Sequence, residues 1–189
     1  MQQCHDNGLD PFSDDVLGIR IQISAWLEKI GNYENAVEIL DLIARDCIRW
    51  VETFEKSMEE GTLPKNGWIP VPKLEGAEEK KTGENGEEEV QYLPENFWAK
   101  RKRLLAKAVA TNVKLGELCA DEHVLRPEES QSRLTWAVET ALKELKRRHD
   151  EGVKPDEGPW MSAGEIGGTL EGMVVLRYRR FFPLASASC

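Results

Sequence analysis

Two helix-like segments separated by only Gly31 and Asn32 constrain the fold of this chain more than any other feature. In residues 14–30, large apolar residues recur at steps of three and four, which is typical of one buried helix face. The residues of this stripe are Val16, Ile19, Ile23, Trp26, Leu27 and Ile30. The second segment runs to about Glu60 and carries Leu40, Ala44, Cys47, Val51, Phe54 and Met58 at the same steps. Because so short a break allows only a reversal of direction, the pattern predicts an antiparallel helical hairpin.

Start signals predict three more helices. Pro94 and Pro127 can each occupy a first helical position, where the missing N–H costs nothing, so helices are expected over 95–122 and from 127 to about 150. Ser162 and Glu165 have the spacing of a capping box, which predicts a fifth helix from about 163. Ser13 similarly caps the first helix. The predicted fold class is all-α.

Residues 61–94 lack helical periodicity and include GAEEKKTGENGEEEV, which is too polar to fold alone. They are interpreted as a flexible acidic insertion, in which Trp68, Ile69 and Val71 are expected to dock onto the helices. The predicted organisation is a lead-in at 1–12, a first hairpin at 13–60, the insertion at 61–94, a second, extended hairpin at 95–150, and a connector, partial third repeat and tail at 151–189.

The formal charge of −9 and the pI of about 5.0 do not favour nucleic acids or anionic membranes as partners. Two basic runs, at 100–107 and 143–148, are interpreted as solvated helix faces. No apolar run reaches the roughly 18 residues that span a bilayer, and the first residues do not resemble a targeting sequence. As written, the chain is expected to be soluble, with no direct membrane insertion.

The sequence gives little support for chemistry at a reactive centre. The four cysteines are scattered without a CxxC pair, and Cys47 and Cys119 fall on apolar helix faces, where we expect them to be buried. The three histidines stand apart, and no GxSxG, HExxH or Walker loop is present. We therefore predict no catalytic residue, no metal site and no cofactor, and expect that the protein is not an enzyme.

The segment ISAWLEKIGNYENAVEIL resembles a tetratricopeptide repeat, a 34-residue helix-turn-helix unit. With Gly31 as the turn glycine, Ser24 and Ala36 fall at the two small positions where the helices cross. Tyr33 and Leu40 fall at an aromatic and a large apolar position of the repeat. Arg20, however, stands at an early position where the repeat has tryptophan. VKLGELCAD and TWAVETALKEL suggest a second unit, about nine residues longer, with Gly116 and Ala137 as its close pair. The resemblance implies a short right-handed α-solenoid.

Longer blocks within about 9–172, including the first repeat, LGELCADEHVLRPEESQSRLTWAVETALKEL and GPWMSAGEIGGTLEGM, resemble the fungal mitochondrial adaptor subunits of the inner-membrane i-AAA protease supercomplex. The resemblance implies delivery of unfolded or membrane-extracted clients to the protease, from the inner membrane or intermembrane space. Family members carry a presequence and one membrane span, and neither is expected in this chain as written. After Gly172 the family continuation is replaced by VVLRYRRFFPLASASC, so a truncated or mis-joined chain is expected.

First helices of stacked repeats form a concave surface that usually receives a peptide. The expected groove positions are Gly18, Ile21, Ala25, Glu28 and Lys29 in the first unit, and Val113, Glu117 and Asp121 in the second. Ile21 and Ala25 stand where chaperone-binding repeats carry lysine and asparagine, so a carboxylate clamp is not expected. Alternatively, these residues pack against a neighbouring repeat. The chain is thus expected to be a protein-binding adaptor or a scaffold that pairs with another copy or a larger assembly.

Overall fold

The computed structural model describes residues 10–69 and 95–171, and in these ranges the chain forms five helices and no strand. Four have complete bounds: α1 covers Asp14–Lys29, α2 covers Tyr33–Glu59, α3 covers Phe97–Ala120 and α4 covers Pro127–Glu151. The fifth, α5, covers 163–171 of the described residues. The all-α class is therefore confirmed.

Local chemistry sets most helix ends where the sequence predicts them. The Ser13 hydroxyl accepts a hydrogen bond from the amide of Val16 at 3.3 Å, and Pro127 opens α4. Gly31 ends α1 with a φ of +79°, a conformation that glycine adopts without strain. Ser162 and Glu165 cap each other's backbone amides, at 2.7 Å and 3.2 Å.

The start of α3 differs from the prediction. The helix begins at Phe97, and the side-chain oxygen of Asn96 accepts a hydrogen bond from the amide of Trp98 at 2.8 Å. A capping asparagine accepts a hydrogen bond from a free amide of the first turn, whereas a proline only removes one such amide. Asn96 rather than Pro94 therefore determines where this helix begins. Pro94 itself lies outside the described residues.

Helices α1 and α2 form an antiparallel hairpin with a close crossing. The buried hydroxyl of Ser24 donates a hydrogen bond to the carbonyl oxygen of Ala36 at 3.0 Å, and Ala36 has no exposed surface. Further along, Arg20 pairs with Asp46 at 3.3 Å. The small side chains let the two backbones approach, and the hydrogen bond gives the buried Ser24 hydroxyl an acceptor within the apolar contact.

Helices α3 and α4 repeat this arrangement with the serine on the second helix. The buried hydroxyl of Ser130 donates to the carbonyl oxygen of Gly116 at 2.6 Å. A Cβ added to Gly116 would lie 2.6 Å from Cγ of Leu134, so the crossing has no room for one. The three atoms nearest to that Cβ all belong to Leu134, whereas the predicted partner Ala137 is buried one turn further along, in a cluster with Val109 and Ala141.

The two hairpins stack with equivalent helices parallel. Asp14 at the start of α1 pairs with Arg103, and Glu28 at its end pairs with Lys114. The second helices pair in the same sense, because α2 and α4 are joined by Glu34–Arg126 and Asp41–Arg133. Between them, α2 and α3 pack directly. The main core cluster draws its apolar side chains from α1, α2 and α3: Leu17, Val37, Leu40, Ile43, Ala44, Cys47, Val51, Leu104, Leu105, Ala108, Leu115 and Leu118.

The predicted buried stripe of α1 is wrong. Leu17 and Ser24 are the buried residues of this helix, whereas four members of the stripe are exposed: Ile19, Ile23, Trp26 and Ile30. Of the others, Val16 and Leu27 are half-buried. The helix carries apolar residues on two opposite faces, and the shorter Leu17–Ser24 face meets α2 because only small residues permit the close crossing.

Part of the predicted flexible insertion has defined contacts. The carbonyl oxygen of Gly67 accepts the amide of Phe97 at 2.9 Å, and the Trp68 indole donates to Asp156 at 2.9 Å. Residues 61–69 are thereby tied to the start of α3 and to the connector after α4. Val71 and the rest of 70–94 lie outside the described residues, as do 1–9 and the tail at 172–189.

Ala36→Arg should lower the free energy of unfolding by about 3 kcal/mol or more, because it overpacks the first crossing and buries a charge. Chemical denaturation followed by circular dichroism measures the loss. Ala25→Arg, on the exposed side of α1, is the matched control and should stay near wild type. Equal stability of the two variants would contradict the crossing at Ala36.

Gly18→Ala and Gly116→Ala should act in opposite directions. No atom lies within 4 Å of a Cβ at Gly18, so the gain in helix propensity should stabilise the fold by about 0.5–1 kcal/mol. At Gly116 the clash with buried Leu134 should outweigh that gain and destabilise by about 1–3 kcal/mol. Thermal unfolding of both variants checks the signs, and stabilisation by Gly116→Ala would overturn the second crossing.

Candidate protein-interaction surface

The parallel first helices place most predicted groove residues on one surface. Ala25, Lys29 and Glu117 are exposed, while Gly18 and Val113 are half-buried. The ion pair between Glu28 Oε1 and Lys114 Nζ, at 3.1 Å, joins the end of α1 to α3 beside this set. We call this surface the α1–α3 face and define it by Gly18, Ala25, Lys29, Ala110, Val113 and Glu117.

Three predicted groove residues have other surroundings. Ile21 is half-buried and packs against the main core, and Glu28 is committed to Lys114. Asp121 caps the end of α3 and accepts hydrogen bonds from the amide and ring of His123, at 3.0 Å and 2.7 Å. These bonds hold the pKa of the Asp121 carboxyl below its ordinary value. His123 in turn stacks on Tyr33, with ring centroids 4.7 Å apart.

The α1–α3 face combines small side chains with fixed charges. At Gly18 a ligand can reach the helix backbone, and Ala25 and Ala110 are exposed. At one end of the face, Asp14 lies 3.4 Å from Arg103 and 3.7 Å from Lys107. Such a surface can accept apolar side chains in its centre and polar groups at its margins, but it offers no reactive constellation.

A buried ion cluster that the sequence analysis missed lies where α3 begins and α4 ends. Arg101 donates to Glu55 at 2.9 Å and to Glu144 at 3.0 Å, and its side chain is almost fully buried. Arg147 and Arg148 donate to Glu144 at 2.7 Å and 2.9 Å. The two basic runs are therefore not simply solvated faces, because three of their arginines neutralise buried carboxylates.

Glu157 ties the connector after α4 into this cluster. Its side chain has no exposed surface, pairs with Arg147, and lies 3.2 Å from Arg148. Its other oxygen accepts the backbone amide of Lys154 at 3.0 Å. The connector is thereby fixed, and Met161, just before α5, packs on the cluster of Val109, Ala137 and Ala141.

Ionisation of Glu144 depends on these arginines. Burial alone would raise the pKa of its carboxyl, but hydrogen bonds from Arg147 and Arg148 and the charge of Arg101 outweigh burial and lower the pKa below 4.5. The same hydrogen bonds raise the pKa of Arg147, so both groups stay charged near neutral pH. A buried cluster of oppositely charged groups of this kind fixes geometry, and removal of one partner is costly.

A second concave feature lies between the lead-in, α1 and α2. It is a cleft of about 300 Å³ lined by Pro11, Phe12, Arg20, Asp46, Arg49, Trp50 and Thr53. Its aromatic residues belong to a larger set, since the Trp50 ring stacks on Phe54 at 5.6 Å and meets Phe97 edge-on. The repeat pattern did not indicate this cleft, because the lead-in that forms one wall has no periodicity.

Over residues 10–69 and 95–171, no group of three or more His, Cys, Asp or Glu residues is placed to hold a metal ion. In the same ranges no helix is long and apolar enough to cross a bilayer. Cys47 and Cys119 are buried, as predicted, and burial raises the pKa of each thiol to about 11. Both thiols therefore remain protonated at neutral pH, as expected for buried apolar residues.

Comparison of the chain with protein-family models, with curated proteins and with solved structures gives no match.

The Glu144 cluster should make the fold acid-sensitive. Because the folded pKa of Glu144 is lower than its unfolded value of 4.5, its stabilising effect is fully present above that value and is lost as pH falls through the folded pKa. Glu144→Gln should therefore destabilise the protein at pH 7 and flatten the fall in stability below pH 4.5. Urea denaturation across this range measures the effect.

The matched control for this pH series is Glu139→Gln, an exposed position on the same helix. It should retain the wild-type pH dependence, because Glu139 has no ion-pair partner among the described residues. An unchanged curve for Glu144→Gln would mean that the buried cluster does not contribute to acid sensitivity.

Proposed function

We propose that this protein is a non-enzymatic protein-interaction module of the tetratricopeptide type, and that the α1–α3 face binds a client polypeptide. The observation that supports this most directly is the parallel pairing of α1 with α3 through Asp14–Arg103 and Glu28–Lys114. Parallel first helices of successive hairpins are the geometry of a short right-handed solenoid, whose concave side commonly binds peptides.

The chemistry of the face favours an extended or helical segment of mixed composition. Ala25, Ala110 and Val113 provide apolar contact without deep pockets, and Lys29 and Glu117 provide opposite charges at the rim. A shallow face of this kind selects weakly among sequences, because affinity comes from burial rather than from fixed hydrogen-bond geometry. This suits a binder of many unfolded segments better than a receptor for one motif.

From the sequence resemblance we propose that the biological role is to present unfolded or membrane-extracted clients, as an adaptor, to a mitochondrial inner-membrane AAA protease. The stacked hairpins are consistent with such a role. The competing proposal, a scaffold without client binding, predicts one stoichiometric complex instead of weak binding to many segments.

Client binding can be measured by fluorescence anisotropy with short labelled peptides of graded apolar content. The full chain should bind the apolar peptides weakly, and Ala25→Arg should weaken binding by roughly tenfold because a long charged side chain covers the centre of the face. Ala163→Arg, at an exposed position at the start of α5, is the matched control and should bind like wild type. Equal binding by both variants would exclude the α1–α3 face.

The adaptor role is tested by pull-down from fungal mitochondria with the full chain as bait and Ala36→Arg as the destabilised control. Recovery of the AAA protease with wild type alone would support the adaptor role. Recovery of the bait alone would contradict the adaptor role. Peptide binding by the α1–α3 face is tested separately, by the anisotropy measurement.

A further inference from the structure

The exposed apolar stripe of α1 is a second surface, distinct from the α1–α3 face. The exposed fractions are 57% for Ile19, 46% for Ile23, 59% for Trp26 and 55% for Ile30. These residues are spaced by four, three and four, so they form one continuous line along the helix. Large apolar groups aligned in this way usually mark an interaction site.

The stripe lies on the side of α1 opposite to the hairpin contact. At about 100° per residue, Trp26 is half a turn away from the buried pair Leu17 and Ser24. Within the described part of the chain, α1 packs closely only against α2, whereas its counterpart α3 packs between α2 and α4. Apolar residues on two opposite faces are typical of a buried helix that has neighbours on both sides.

The charges beside the stripe indicate which neighbour fits. Asp15 precedes the stripe by one turn and Lys29 lies at its other end, and both are exposed. Neither makes an ion pair with any described residue. By helical geometry both lie on the same side of the stripe, and so their charges would face each other if the stripe were laid against itself in reverse direction.

We infer that a second copy of this chain covers the stripe, with α1 packed antiparallel against α1 of that copy. A two-fold axis near residues 22–23 would place Ile19 of one copy against Trp26 of the other. The same axis would bring Asp15 of each copy to Lys29 of the other. Such an isologous contact closes on itself, and the antiparallel helix dipoles also favour it. Of the residues that define the α1–α3 face, only Lys29 takes part in this contact.

Sedimentation velocity of the full chain over a concentration series tests this inference. Wild type should change from monomer to dimer within concentrations of up to about 100 µM. Trp26→Asp should abolish the dimer, because it places a charge at the centre of the apolar contact. The matched control is Leu142→Asp, since Leu142 is likewise a large exposed apolar residue, at 46%, but lies on α4. That variant should dimerise like wild type.

A charge exchange tests the antiparallel register. Lys29→Asp should raise the dimer dissociation constant about tenfold, because two pairs of like charges would face each other across the contact. Adding Asp15→Lys to Lys29→Asp should restore the constant to within about threefold of wild type. Circular dichroism confirms that each variant remains helical.

Three results would overturn the inference. They are a wild-type chain that stays monomeric throughout the series, a dimer that persists in Trp26→Asp, and a charge exchange that fails to restore association. The first would indicate that the stripe binds a different protein or another part of this chain. The second would place the dimer contact on another surface. Because none of these measurements involves a client peptide, their outcome is independent of the proposed function.

Discussion

Two close helix crossings, each with a buried serine hydroxyl bonded to a carbonyl oxygen of the facing helix, set the geometry of the two hairpins. Ser24 bonds to Ala36 in the first hairpin at 3.0 Å, and Ser130 bonds to Gly116 in the second at 2.6 Å. Each crossing needs small side chains for the backbones to approach, and each buries a hydroxyl that must find an acceptor. Because α2 and α3 then pack into one core, the two crossings also determine how the hairpins stack.

Both proposed surfaces follow from this geometry. The crossing at Ser24 orients α1 so that Asp14 and Glu28 reach Arg103 and Lys114 of α3, while Ala25 stays exposed. The same orientation directs Trp26 and its neighbours away from α2, where a further helix can pack against them. The buried cluster around Glu144 and Glu157 contributes differently, because it fixes the connector after α4 and thereby places the start of α5 beside the second hairpin.

The sequence predicts local features well and facing directions less well. The caps at Ser13 and Ser162 were predictable because each depends on residues within one turn. The buried side of α1 was assigned wrongly because periodicity alone cannot rank two apolar faces. The repeat register already contained the correct answer, since a small residue at Ser24 belongs in a crossing and cannot coexist there with a buried Trp26. The ion cluster around Glu157 could not be predicted, because its partners come from separate helices and from a connector.

The proposed function depends on the parallel pairing of α1 and α3, which spin-label distances test most directly. Labels would be placed at Ala25 with Glu117, and at Ala25 with Lys102, after Cys4 and Cys189 are changed to serine. Parallel helices predict a clearly shorter distance for Ala25–Glu117, because both positions lie toward the C-terminal ends of their helices. A shorter distance for Ala25–Lys102 would mean that the helices run in opposite directions, and the α1–α3 face would not exist.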